Sequence, residues 1–334
     1  MRRLLTTALT GLLCLSLALA TLWAALALWY RLPLFLPQGW LPAAGFAGLG
    51  LGVIYAQFTA RRLRALATFV LALAAVILWW STLAPPAQRN WSPDVARQVT
   101  GTLDGGILTL DGVRNFTWQT PEIFTPAWET RRYDLSTLQT VDLAMSYWAG
   151  PEMAHMIVSF GFAGGEYLAW SVEVRRAEGG GFSPVADLFK ANTLAIIAAD
   201  ERDLIGTRTN ARGEDVQLFR TNTPPARARA LLMQYVAAAN QLAAQPQWYN
   251  SLTTNCTTVV MQRIRTSVDD VPLDWRVLAN GYLPDYAYEQ GVFGSTHSIG
   301  ELRRRGAITE RARAHGLLPD FSQAIRHGVP SPLE

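Results

Sequence analysis

The first 84 residues contain no aspartate or glutamate, and three apolar runs fill most of them. Leu4 to Leu28 is free of charge and long enough to cross a hydrocarbon core of about 30 Å. Trp29 and Tyr30 follow it, residues that favour a membrane interface. A second run extends from Leu41 to Phe58, with Gly45, Gly48, Gly50 and Gly52 offering small faces for close helix packing. Arg61, Arg62 and Arg64 separate it from a third run, Ala65 to Ala84, which Pro85 and Pro86 end. The first run resembles an uncleaved signal peptide, but no small-residue cleavage site follows it. Gly11-Leu12-Leu13-Cys14 lacks the small residues that precede a lipoprotein cysteine. Positive charge favours the cytoplasmic side, so Arg2, Arg3 and the Arg61–Arg64 cluster belong inside and the loop from Arg31 to Trp40 outside. The expectation is a multi-pass protein of the bacterial inner membrane. Residues 1–86 form a three-span anchor, with the N-terminus cytoplasmic, and residues 87–334 form an exported domain.

Charge separates the two parts. Six of the 29 basic residues lie in the anchor, which leaves 23 basic against 26 acidic residues in the remainder. The high pI therefore marks membrane flanks, and no nucleic-acid partner is expected. The exported part reads as α+β. Gly106–Leu110 and Val113–Trp118 flank Asp111-Gly112, a hairpin signal. A second hairpin pairs Ala154–Phe162 with Tyr167–Arg175 across Gly164-Gly165. Strands are also expected at Val141–Tyr147, Leu194–Ala199 and Val216–Phe219, with helices over Pro184–Asn192 and Ala226–Ala244.

Cys256 is the only cysteine in the exported part; Cys14 lies in the first apolar run. Exported domains normally pair their cysteines as disulfides, so a lone thiol there is either a small buried hydrophobe or a reactive group. Asn255 is a good N-cap, and Val259, Val260 and Ile264 continue from Cys256 at helical spacing. The thiol then sits at the positive end of a helix dipole, which favours the thiolate. His155 interrupts an apolar strand. Centring the second hairpin on its turn brings His155 opposite a position near Val174. Alternation then puts Ser171, Glu173 and Arg175 on one face, and Glu173 is the residue best suited to orient an imidazole. Cys256, His155 and Glu173 are thus the candidate nucleophile, base and orienting carboxylate. His297, His315 and His327 lie in an Arg-rich, polar stretch and read as solvated. No second cysteine or nearby histidine builds a metal site, and Gly179-Gly180-Gly181 lacks the lysine of a phosphate loop, so no cofactor is expected.

Several motifs resemble one family. Tyr249-Asn250-Ser251-Leu252-Thr253-Thr254-Asn255-Cys256-Thr257-Thr258 is similar to the signature of the DUF4105 family, which includes the N-terminal domain of the lipoprotein intramolecular transacylase Lnb. So are Ala154–Phe160, Ser171–Arg176 and Asp200–Leu204. The resemblance covers roughly residues 90–320 and implies a circularly permuted papain-like, NlpC/P60-like domain in which His155 and Cys256 are catalytic. Asn-Cys at a helix start also resembles lecithin:retinol acyltransferase-like enzymes. The activity this implies is cysteine-dependent acyl transfer or hydrolysis on a membrane lipid or lipoprotein. Asn255, Asn250 and Tyr249 are the expected oxyanion and substrate residues, and Arg131, Arg132, Arg175 and Arg176 candidate contacts to anionic headgroups. The alternatives are an amidase or peptidase of cell-wall peptides, favoured by a polar open groove, and a non-catalytic envelope scaffold.

Overall fold

A computed structural model of the chain describes residues 2–32, 40–267, 272 and 274–332, the side chains of 2, 3 and 263–267 excepted. The chain forms two compact units. One is Met1–Pro86 with Ser183–Ala191; the other is Ala87–Phe182 with Asn192–Glu334.

In the first unit the apolar runs become α1 (Arg2–Arg31), α2 (Trp40–Ala56) and α3 (Arg62–Thr82). Leu17, Ala24, Phe46, Phe69 and Val76 pack between them, while leucines such as Leu9, Leu19, Leu71 and Leu78 face outward. Outward-facing leucine suits lipid, which does not penalise it. Helices α1 and α3 are long and apolar enough to cross a membrane, whereas α2 is apolar but only 17 residues long. Of the four glycines in the second run, only Gly50 makes a close approach: an added Cβ would lie 2.1 Å from Thr21 Oγ1. Gly45, Gly48 and Gly52 meet nothing within 4 Å. The expected loop between the first two runs lies mostly outside the described residues. The segment 183–191 is not the full helix expected from Pro184 to Asn192; it is a single turn, α4 (Pro184–Asp187). Its continuation is broken where Lys190 takes a positive φ of 59°. That turn brings Lys190 Nζ to the carbonyl of Trp80 at 2.8 Å and to the Trp80 ring, at the end of α3.

The second unit is a sheet covered on both faces. Its strands are β1 (Thr100–Asp104), β2 (Ile107–Arg114), β5 (Trp128–Asp134), β6 (Leu138–Tyr147), β7 (Ala154–Phe162), β8 (Tyr167–Arg175), β9 (Thr193–Ala199) and β10 (Asp215–Arg220). They lie in the order β1-β2-β9-β8-β7-β6-β10, with β5 also on β2. Two short strands, β3 (Thr117–Trp118) and β4 (Phe124–Thr125), pair separately. The β7–β8 hairpin keeps the expected limits. The hairpin expected at Asp111-Gly112 does not form. Residues 107–114 are one strand, Gly112 at φ 78° sits in a bulge between Asp111 and Val113, and the turn lies earlier, at Gly105-Gly106. A left-handed glycine serves a bulge as well as a turn, so Asp-Gly alone did not fix which.

Alternation along the central strands builds two cores. Met156, Val158, Phe160, Trp170, Val172 and Ile196 point to one face, where α6 (Pro225–Ala244) and α7 (Cys256–Ser267) cover them. Ile157, Ala169, Ala195 and Ile197 point to the other, under α5 (Glu201–Gly206), α10 (Thr309–His315) and α11 (Phe321–Arg326). The remaining helices, α8 (Leu283–Glu289) and α9 (Ile299–Gly306), follow α7 in the chain.

Candidate active site

Cys256 opens α7, as the sequence predicts. Asn255 accepts hydrogen bonds from the Thr257 and Thr258 amides at 3.0 and 2.9 Å, satisfying two of the helix's free donors. The thiol is 8% exposed and belongs to the core on the α6/α7 face.

His155, by alternation, belongs to the opposite face, together with Ser171 and Glu173. A gap in the sheet lets the two sides meet. Pairing between β7 and β8 ends at Ile157↔Ser171, two residues short of His155. There the Cys256 sulfur meets the His155 ring and the Met156 amide, both of which favour the thiolate. Two effects set the charge of this pair. Burial raises the thiol's pKa, but His155 outweighs it and leaves the thiol below an ordinary cysteine. Burial and Arg208 lower the imidazole's pKa, but Glu173 and the thiol outweigh them and leave it raised. Both shifts favour a thiolate–imidazolium pair.

The other side of the imidazole is held firmly. His155 Nε2 lies 2.6 Å from Ser171 Oγ and 3.0 Å from Glu173 Oε1, and Ser171 itself donates to the same carboxylate oxygen at 2.7 Å. Since Ser171 spends its proton on Glu173, it accepts from Nε2–H, which leaves Nδ1 to face the thiol. Arg208 donates to Glu173 Oε1 at 3.0 Å and to Glu214 at 3.2 Å, and Ser146 donates to Glu214. Burial alone would raise the Glu173 pKa, but His155 and Arg208 hold it well below the usual carboxylate range. Glu173 is therefore an anion at neutral pH.

The structure brings Cys256, His155 and Glu173 together. Of the expected oxyanion and substrate residues, Asn255 is engaged elsewhere through both its oxygen, as the helix cap, and its amide, on the Ser251 carbonyl. Asn250 Oδ1 accepts from Leu252 and Thr253 in the preceding turn, and Tyr249 is buried against Phe182. Arg131 pairs with Glu129 and Asp200, Arg176 with Asp94, and Arg175 donates to the Val95 and Ala96 carbonyls, so three of the four expected headgroup arginines are engaged internally. Ser171, one of the three residues expected near His155, contacts it beside Glu173; Arg208, Glu214 and Asn280 were not foreseen. Asn280 Nδ2 reaches Ala154 O at 2.6 Å and Thr257 Oγ1 at 2.7 Å, and lies 3.8 Å from the Cys256 sulfur. Gly281 permits this approach, since a Cβ there would stand 2.0 Å from the Pro151 carbonyl oxygen. Arg208 lies in a π-helical turn, Thr207–Ala211, an irregularity often found at functional sites.

Residues 124–281 match the model of the Lnb N-terminal periplasmic domain family. The Lnb-like stretch contains every residue of this cluster, from Ser146 to Asn280. No curated protein and no solved structure matches the chain.

Proposed function

We propose that this protein is a membrane-anchored thiol acyltransferase or acyl hydrolase acting on a lipid or lipoprotein at the outer face of the bacterial inner membrane. The observation that carries the reading is the buried thiol, shifted toward the thiolate by the His155 imidazole, whose far nitrogen is fixed by Ser171 and Glu173. It lies within the stretch similar to the Lnb periplasmic domain, and a circularly permuted papain-like core accommodates the order His155, Glu173, Cys256. Three N-terminal spans, with Arg61–Arg64 on the cytoplasmic side, keep the domain beside its substrate.

In the reaction, His155 takes the Cys256 proton and the thiolate attacks an ester carbonyl. The carbon–oxygen bond breaks, and the imidazolium returns the proton to the departing alkoxide. The acyl group is then a thioester on Cys256. An amine, hydroxyl or water attacks that thioester, losing its proton to His155 and regenerating the thiol. Glu173 keeps Nδ1 directed at the sulfur and stabilises the imidazolium. The test is intact-mass analysis of the full-length protein after incubation with native lipid extract. An acyl adduct present in the wild type and absent in Cys256→Ala supports the proposal. No adduct from lipid, with an adduct from peptidoglycan peptide, would replace it with the amidase reading.

A further inference from the structure

Next to the catalytic cluster lies a cleft of about 880 Å3, lined among others by Tyr147, Trp148, Arg212, Glu214, Gly281 and Arg303. Its volume is that of a small-molecule site, about 300–1,000 Å3. Two contacts tie it to the chemistry. Glu214 leads through Arg208 to Glu173, and Gly281 follows Asn280, whose amide lies 3.8 Å from the Cys256 sulfur.

Most of the cleft's charge is already satisfied. Arg303 pairs with Asp285 at 2.5 Å and also donates to Tyr147 and Gln217. Glu214 is held by Arg208 and Ser146, and Asp215 is exposed at the rim. Arg212 differs. Its side chain is 34% exposed, and its closest carboxylate, Glu214 Oε1, stands at 3.7 Å, beyond a hydrogen bond. Among the described residues no acceptor takes any of its five guanidinium protons. A planar fork with free donors inside a cleft is suited to phosphate oxygens.

The rim supplies the second observation. The segments 147–153 and 275–282, joined by the Gly281 amide on Glu152 O, carry Trp148, Met153, Trp275 and Leu278 with their side chains in solvent. Trp275 and Leu278 are 63% and 62% exposed, and Trp275 packs on Tyr282 at the cleft. Tryptophan and tyrosine beside a cation suit the headgroup level of a bilayer, with apolar chains on one side and charge on the other.

We infer that this cleft takes the phosphate of a glycerophospholipid on Arg212, which makes one of that lipid's ester carbonyls the acyl donor for Cys256. The binding site stands by itself, while the donor role rests on the proposed function. In that role the thiolate displaces the glycerol oxygen, which takes its proton from His155 and leaves as a lysophospholipid.

The test uses full-length protein in maltoside micelles, with native mass spectrometry to measure binding of two uncleavable lipids: dialkyl-ether phosphatidylglycerol and the dialkylglycerol lacking its phosphate. Wild type is expected to prefer the phospholipid by about 10-fold or more, the scale of charge-assisted hydrogen bonds. Arg212→Gln is expected to bind both equally, and Arg212→Lys to keep part of the preference. Equal binding by wild type, or a preference that survives Arg212→Gln, overturns the inference. Displacement by millimolar inorganic phosphate or by a peptidoglycan peptide overturns it too, identifying a free-anion or peptide site. A second arm supplies ester phosphatidylglycerol and reads the Cys256 adduct by mass. Phosphate-dependent binding without an adduct keeps the site and removes the phospholipid's donor role; an adduct without phosphate-dependent binding removes the site and keeps the proposed function.

Discussion

Two buried arginines on the same side of the sheet each bridge two carboxylates, and they do different work. Arg326 contacts Asp142 and Glu201 at 2.7–2.8 Å, donates to the Ser322 carbonyl and lies over the Tyr167 ring, while Ser159 donates to Glu201. Every nitrogen of that guanidinium is engaged, and the network ends in the core. Arg208 bridges Glu173 and Glu214, but among the described residues its Nε has no acceptor, and Glu173 passes its charge onward to His155 and so to Cys256. One network is closed and holds α11 to the sheet. The other is open at one end to a titratable ring and a thiol, so in the proposed function its charge acts on chemistry.

Replacing residues in each network separates the two roles. In the open network, His155→Ala is expected to slow Cys256 acylation about 10²–10⁴-fold, the usual contribution of a positioned base, with little change in melting temperature. An adduct rate within a few-fold of wild type breaks the contrast. In the closed network, Arg326→Met leaves Glu201 buried without its cation and Asp142 with only Arg220 at 3.8 Å, and a loss of about 3–5 kcal/mol in denaturant unfolding is expected. If that variant instead unfolds like wild type, the network is not structural.

A third measurement follows iodoacetamide alkylation of Cys256 against pH. The thiol's pKa is lowered, so in wild type the rate is expected to rise at a pH below that of a free cysteine. Glu173→Gln removes the anion that stabilises the imidazolium, so the midpoint should move upward and the rate at neutral pH fall about 10-fold, the effect of roughly one pH unit. The sign for stability is separate. Glu173 is held below its ordinary pKa, so its pairing stabilises the fold at neutral pH and is lost as pH falls through that depressed value. An unchanged alkylation midpoint in Glu173→Gln would reduce Glu173 to a structural partner of Arg208.

The smallest effect concerns a polar group attached to neither network. The Tyr235 hydroxyl, buried among Phe160 and Trp170, has no hydrogen-bond partner among the described residues. Tyr235→Phe should therefore be neutral or stabilising by up to about 1 kcal/mol in melting experiments, since no bond is lost and a desolvated group is removed. A clear loss of stability would show that the hydroxyl is bonded after all.

Much of this was legible in the chain itself. Apolar length and the absence of acids marked the N-terminal helices, because a helix that faces lipid must be apolar along its whole length. Alternation and turn glycines set the limits of the β7–β8 hairpin, and the Asn255-Cys256 pair placed the thiol at a capped helix start. Local pattern also singled out His155 and Glu173, since strand parity is a property of sequence. Where local chemistry serves two uses, the pattern was ambiguous: Asp111-Gly112 built a bulge, and the Asn255 oxygen went to the helix cap. What only the tertiary structure decided was the meeting of Cys256 and His155 across the sheet. That meeting falls where the β7–β8 ladder stops two residues short of His155. Arg208, Glu214, Asn280 and Arg212 lie in irregular segments with no periodicity to reveal them. Their roles depend on which donors the rest of the fold has already used, and no stretch of sequence carries that information by itself.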